Sequence, residues 1–320
     1  MIVKNLILNS IKPVLDSGKF VGINQNKITE LANKIKGYPL PVWDNSLQFL
    51  GDAKQTAQYY FFVDSINFCF WAEKGKERWS FQKDGEWLQG YYAYSYAIKK
   101  AFEQNPNFFK AEYLAELSFD EFAKIFECKN KLLLLEQRHK IINENFAILE
   151  KQFGGEAMGL IQSAHSDVNT LVNSIINAFP TFQDWIMKDG SRIYFLKRAQ
   201  IFVSDLYYAF QGKASGHFSN MEDLAIFADY KLPQFLQAEG ILEYNEELLD
   251  KVKDEKLIMP GSQEEIEIRA NTIYASELLR QELEGLRRKL TSNELDWILW
   301  VQAKQTKFSI PHHKTITINY

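Results

Sequence analysis

The segment Tyr59-Tyr60-Phe61-Phe62-Val63-Asp64-Ser65-Ile66-Asn67-Phe68-Cys69-Phe70-Trp71 surrounds one carboxylic acid with rings and hydrocarbon. Burying a carboxylate without partners costs several kcal/mol, so Asp64 must be compensated. On a helix Asp64, Asn67 and Phe68 share a face at i, i+3 and i+4. A carboxylate, an amide and a ring together offer what a heterocyclic base needs: acceptors for its N–H groups and a surface for stacking. The same three residues also fit a helix cap or a buried hydrogen-bond network, and spacing alone leaves both open.

Three further polar residues stand in apolar surroundings. In Phe227-Ala228-Asp229-Tyr230-Lys231-Leu232-Pro233-Gln234, Pro233 sets a first helical turn and Gly240 ends the helix, so Asp229 falls at a break between helices. A side chain there either caps a helix or faces a cleft. Lys197 opens a helix whose apolar stripe runs Ala199, Phe202, Val203, Leu206 and Phe210, and it points away from that stripe. Solvation is the simplest fate of such a lysine. Asp296, in Asp296-Trp297-Ile298-Leu299-Trp300, is an acid in an apolar helix and needs a donor, for which Arg269 and Lys197 are candidates.

The elements that must position these groups are mostly helical. Ser118-Phe119-Asp120-Glu121 and Thr291-Ser292-Asn293-Glu294 fit the capping box of a helix start. Apolar residues recur at three and four from Leu134 to Phe153, closed by Gly154-Gly155, and from Val168 to Phe179, closed by Pro180. Glu264 to Leu290 reads as another long amphipathic helix. One β-hairpin is expected, with Arg78–Gln82 and Glu86–Gln89 flanking Lys83-Asp84-Gly85, and Ile316–Tyr320 alternates like a short strand. No repeat or linker interrupts the 320 residues, so residues 1–320 are expected to form a single, mainly α domain with a small β-hairpin.

Composition bounds the partners. With 41 acidic and 37 basic side chains the formal charge is −4, too acidic for a long polyanionic partner that is read through many phosphate contacts. A small ligand is expected, with no nucleic acid and no membrane. Only Cys69 and Cys128 occur, which suggests a reducing, cytoplasmic setting. The polar residues Asn9, Ser10 and Lys12 break the first apolar run, so no signal peptide is expected. Phosphate loops, H-E-x-x-H and nucleophile elbows are missing, and the five histidines lack ligand spacing, so neither cofactor nor metal is expected. His139, in a charged stretch, reads as a plain surface residue.

Taken in order, six segments resemble the queuosine salvage family of queuosine 5′-phosphate N-glycosylase/hydrolases. They are Val63–Trp71, Glu136-Gln137-Arg138-His139, Lys197-Arg198-Ala199-Gln200-Ile201, Phe227–Gln234, Glu265–Ala270 and Pro311-His312-His313. The resemblance implies a helical architecture similar to that of helix-hairpin-helix DNA glycosylases, and release of queuine from the nucleoside monophosphate. It implies that Asp229 is the catalytic carboxylate supported by Lys197, with Asp296, Trp297, Tyr230 and Gln234 around the base.

Cleaving a ribosyl C1′–N bond builds positive charge on the sugar, which a fixed carboxylate stabilises, or the carboxylate activates the attacking water. A 7-deazapurine has no N7 to protonate, so its departure needs help elsewhere on the ring, for which Asp64, Asn67 and Asp296 are candidates. Phe68 or Trp297 would stack on the base, and Lys197, His313 or Lys314 would meet the phosphate. Val301 departs from the acidic residue that many relatives carry after the tryptophan matching Trp300, which bears on which 7-deazaguanine base is preferred. A monomeric, metal-free hydrolase is expected; the alternatives are a binding protein that sequesters a modified nucleotide and a glycosylase acting on intact nucleic acid.

Overall fold

The computed structural model describes residues 2–42 and 45–320. The chain opens with α1 (Val3–Ser17), β1 (Val21–Ile23) and α2 (Gln25–Ile35), and continues through α3 (Ala53–Ser65), the strands β2 (Ser80–Lys83) and β3 (Glu86–Gln89), and α4 (Gly90–Gln104). Five helices follow: α5 (Ala111–Ala115), α6 (Phe119–Ile125), α7 (Leu135–Phe153), α8 (Ala157–Ser163) and α9 (Val168–Ala178). The strands β4 (Trp185–Lys188) and β5 (Ser191–Tyr194) lead into α10 (Lys197–Ala209). The C-terminal third holds α11 (Lys231–Ala238), β6 (Leu242–Tyr244), α12 (Glu246–Lys253), α13 (Gln263–Gly285) and α14 (Ser292–Gln305). The protein is mainly α, and none of the described helices is long and apolar enough to cross a membrane.

The strands form three antiparallel pairs. The expected hairpin exists, but its turn is only Asp84-Gly85, with Lys83 paired to Glu86 inside the ladder. Both turn residues have positive φ, 51° and 87°, which glycine tolerates without cost. The pair β4–β5 repeats this device at Asp189-Gly190 and was not expected. The third pair joins β1 to β6 across more than 200 positions, a contact no local pattern announces. Ile316–Tyr320 is not a strand. That tail is extended but unladdered, held at separate points where Cys69 N–H donates to Tyr320 O (3.0 Å) and the Cys69 thiol to Thr317 O (3.1 Å).

Helix ends follow the sequence closely. Thr291 and Glu294 complete a capping box at α14, whereas at α6 the Ser118 hydroxyl accepts from Glu121 N–H and the glutamate returns to that hydroxyl, so the box is half formed. Helix α7 stops at Gly154 in the left-handed region, φ 64°. The long helix expected to Leu290 ends at Gly285.

Helix α3 is the centre of the molecule, buried at every position from Thr56 to Ser65. Phe61 packs on Phe146 of α7, Phe179, and Phe202 of α10 with ring centroids 5.1–5.7 Å apart, contacts worth roughly 0.5–1.5 kcal/mol each beyond burial. Two buried guanidiniums then satisfy carbonyls left free at and beyond the end of α3. Arg138 donates to the carbonyls of Ile66, Phe68 and Cys69, and Arg198 to those of Ser65 and Thr181. Helix α3 ends at Ser65 with Ile66 outside the helical region, φ −131°, so Asn67 and Phe68 lie beyond α3 and the expected helical face does not extend to them.

Candidate active site

A cavity of about 320 Å³ opens between α10, α14, the start of α11 and the loop after α3. Helix α10 presents Lys197, Ile201, Ser204, Asp205 and Tyr208 to it, the i, i+4, i+7, i+8, i+11 stripe of one helical face. Helix α14 presents Asp296, Trp297, Trp300, Val301 and Lys304 in the same way.

Lys197 does point away from the apolar stripe of α10, but the opposite face meets this cavity and not bulk water, and the lysine is only 5% exposed. Its ammonium donates to Asn67 O at 2.8 Å. Burial pulls its pKa down to about 8 against the opposing pull of Asp229, Asp64 and Asp296. The backbone holds it too: Leu196 adopts φ 52°, and Lys197 N–H donates to Asp184 Oδ2 at 3.1 Å. Asp184 in turn takes both arms of Arg269 (2.8 and 2.7 Å), whose Nε reaches Ala228 O at 3.3 Å beside Asp229.

Asp229 fills both roles the sequence left open. Its Oδ1 accepts from Lys231 N–H (2.7 Å) and Leu232 N–H (2.9 Å), capping α11, while the side chain lines the cavity. Burial raises its pKa, and Lys197 and the two N–H groups counteract that in part. Asp296 accepts from Phe227 N–H at 2.9 Å; neither Arg269 nor Lys197 is its donor. Burial first, then the charges of Asp229 and Asp205, push its pKa well up.

The other expected residues divide. Asn67, Tyr230 and Trp297 line the cavity, Trp297 with its ring 4.5 Å from that of Tyr208. Asp64 lies behind the wall, where its Oδ1 accepts from Asn67 at 3.2 Å and its Oδ2 has no partner. Phe68 is not a stacking surface for a ligand: the guanidiniums of Arg138 (4.2 Å) and Arg198 (5.5 Å) cover its ring. Gln234 is also outside the cavity, donating to Ile310 O and accepting from Lys231 Nζ at 3.0 Å. His313 is sealed against Tyr320 (3.3 Å), and burial together with Arg269 lowers its pKa to about 3, so it is a neutral ring with no use for a phosphate. Lys314 is committed to Glu255 at 2.8 Å. His139 is partly buried, bonded to Leu117 O at 2.6 Å, and belongs to the scaffold.

Sequence reasoning missed Asp205, Tyr91 and a cationic rim. Asp205 was legible as the i+8 partner of Lys197 on one helical face. Arg78, Lys231 and Lys304 line one end of the cavity, and each lowers or is lowered by another through like charge. Among the described residues no carboxylate pairs with any of them at ion-pair distance; Lys304 lies over Tyr92 and Lys231 over Phe308.

A family model described as queuosine salvage protein matches residues 47–320. The chain belongs to the queuosine salvage protein family. A relative from Sphaerobacter thermophilus is 35% identical over 98% of this chain and 97% of its own. One from Mus musculus is 34% identical over 82% of this chain and 81% of its own, and one from Dictyostelium discoideum 33% over 83% and 78%. Each of the three carries the name queuosine 5′-phosphate N-glycosylase/hydrolase. Val301 lines the cavity.

Proposed function

We propose that the chain hydrolyses the N-glycosidic bond of queuosine 5′-phosphate and frees queuine, with Asp229 as the catalytic carboxylate and Lys197 beside it. The observation that carries this reading is the division of labour within Asp229: one oxygen is tied to the start of α11, and the side chain borders a cavity shared with Lys197. A carboxylate so fixed meets positive charge on a sugar without reorganising.

Electrostatic neighbours give the cavity an order. Asp229 acts on both Lys231 and Lys197, Lys231 also feels Arg78 and Lys304, and Asp296 feels Asp229 and Asp205. The 5′-phosphate lies toward Arg78, Lys231 and Lys304, the ribose at Asp229, and the base among Trp297, Tyr230 and Asp296. The C1′–N bond breaks with its electron pair going to the base. Water adds at C1′ and its proton passes to Asp229, whose raised pKa suits a base that must accept one; the proton then goes to the nitrogen that carried the ribose, so queuine leaves neutral and the carboxylate is restored. The names of the relatives support hydrolysis, and the cavity suits a small-molecule nucleotide better than a polymer.

The test is incubation with queuosine 5′-phosphate and mass-spectrometric detection of free queuine, with Asp229→Asn alongside. Nucleotide stabilisation with no released base would leave a binding protein instead.

A further inference from the structure

The inner half of the cavity holds more acid than the reaction uses. Asp205 is 7% exposed and lines the cavity two helical turns from Lys197. Its Oδ2 accepts one long hydrogen bond, from Tyr91 hydroxyl at 3.3 Å, and among the described residues its Oδ1 has no donor. Asp64 stands behind it on α3, wholly buried, with Oδ2 unpartnered. Tyr91, Tyr208 and Trp297 supply aromatic walls, and Tyr208 is held by Asn293 at 3.2 Å. A nearly buried carboxylate with one long hydrogen bond that borders an aromatic-walled cavity is built for a cation, which gains from both the charge and the ring faces.

Resting on the proposed function, we propose that Asp205 determines base specificity by pairing with a cationic substituent of the base. In queuosine that group is the secondary ammonium of the aminomethyl arm, which an unmodified 7-deazaguanine lacks. Asp229 and Lys197 meet the ribose, and Asp205, at the far end of the same face of α10, takes the arm.

Every charged or titratable group that acts on Asp205 fits this assignment. Burial disfavours a negative Asp205, and a negative Asp205 raises the pKa of Asp64, Asp296, Tyr59, Tyr91 and Tyr208 in turn, while the Tyr91 hydroxyl, by donating to it, and Lys197, by its charge, favour the ionised form. Arg198 acts on Asp64, but its guanidinium is committed to the Ser65 and Thr181 carbonyls. Burial lifts the Asp205 pKa to about 7, so in the empty cavity the acid is partly protonated at neutral pH. An arriving ammonium needs the ionised form.

The experiment compares queuosine 5′-phosphate with 7-deazaguanosine 5′-phosphate. In the wild type the KM for the queuosine nucleotide falls about tenfold between about pH 6 and about pH 8, while the KM for the other changes less than about twofold. Asp205→Asn, which can still accept from Tyr91, raises the queuosine KM about 10- to 100-fold, flattens its pH dependence, moves kcat little and leaves the analogue unchanged. Equal losses on both nucleotides, or identical pH dependence of the two KM values in the wild type, overturn the proposal, and the second comparison needs no variant to fold. If the wild type releases no base from either nucleotide, the hydrolase reading fails by itself. Binding of queuine against 7-deazaguanine then decides the role of Asp205, and equal affinities reject it.

Discussion

Arg269 and Asp184 form a two-pronged ion pair, 2.8 and 2.7 Å, with both side chains fully enclosed, and the same Asp184 carboxylate accepts the backbone N–H of Lys197. Because Arg269 also reaches Ala228 O, one guanidinium on α13 ties together the segments that carry Lys197 and Asp229. Its flat faces are covered by Phe195 and Tyr320, at 4.0 and 4.4 Å.

Arg269→Met leaves Asp184 as an unpaired buried charge and is expected to cost about 3–5 kcal/mol of stability. Arg269→Lys keeps the charge but loses the fork, so it folds and loses kcat more than KM. Denaturant unfolding of both variants, with turnover of the second, checks this.

Asp229→Asn keeps an oxygen that can cap α11, so its stability should change by less than about 1 kcal/mol. Queuine release should fall by about 10²–10⁴. A variant that unfolds, or one that turns over normally, contradicts the assignment.

Lys197 loses its proton near pH 8. Below that value the charge of the ammonium favours ionised Asp229, and above it that support is lost, so kcat should decline as pH rises through about 8. Lys197→Met lowers kcat at all pH values and removes this decline, which a kcat profile measures directly.

Asp205 titrates near 7 in the folded protein and near 3.9 when unfolded, so the native state holds the extra proton. Its contribution to stability is complete below about pH 4 and is lost as pH rises through about 7. Asp205→Asn should therefore gain on the wild type with rising pH, on the order of 2–3 kcal/mol at pH 8 over pH 5. Paired thermal melts at the two pH values give the sign.

Arg78→Ala and Lys304→Ala should each raise KM for the 5′-phosphate substrate about tenfold and leave kcat within about twofold, because the phosphate is remote from the bond that breaks. Dephosphorylated queuosine should be insensitive to both changes. A comparison at low and high salt separates pairing from packing.

How far the sequence reached depended on whether a signal was local. The Asp84-Gly85 hairpin, the stop at Gly154 and the Thr291 cap were readable because each depends on a few adjacent residues. The Asp189-Gly190 hairpin carried the same cue and was overlooked. For Lys197 the periodicity gave the correct face but could not say that this face borders a cavity, since a polar helical stripe reads alike toward solvent and toward a ligand. Phe68 failed for a different reason, since the guanidiniums that cover it come from Arg138 and Arg198, both distant in the chain, while His313 meets Tyr320 through a tail that folds back without a helical or strand period to announce it. The place of Asp229 at a helix start was legible because Pro233 and the helix break are its neighbours.

The pair of buried acids Asp64 and Asp205 has a calorimetric signature. A pocket that stores hydrogen ions when empty surrenders them to the medium as a positively charged guest settles in. Heats of association taken in buffers of unequal ionisation enthalpy should then diverge, and the slope would count the ions expelled for each molecule taken up.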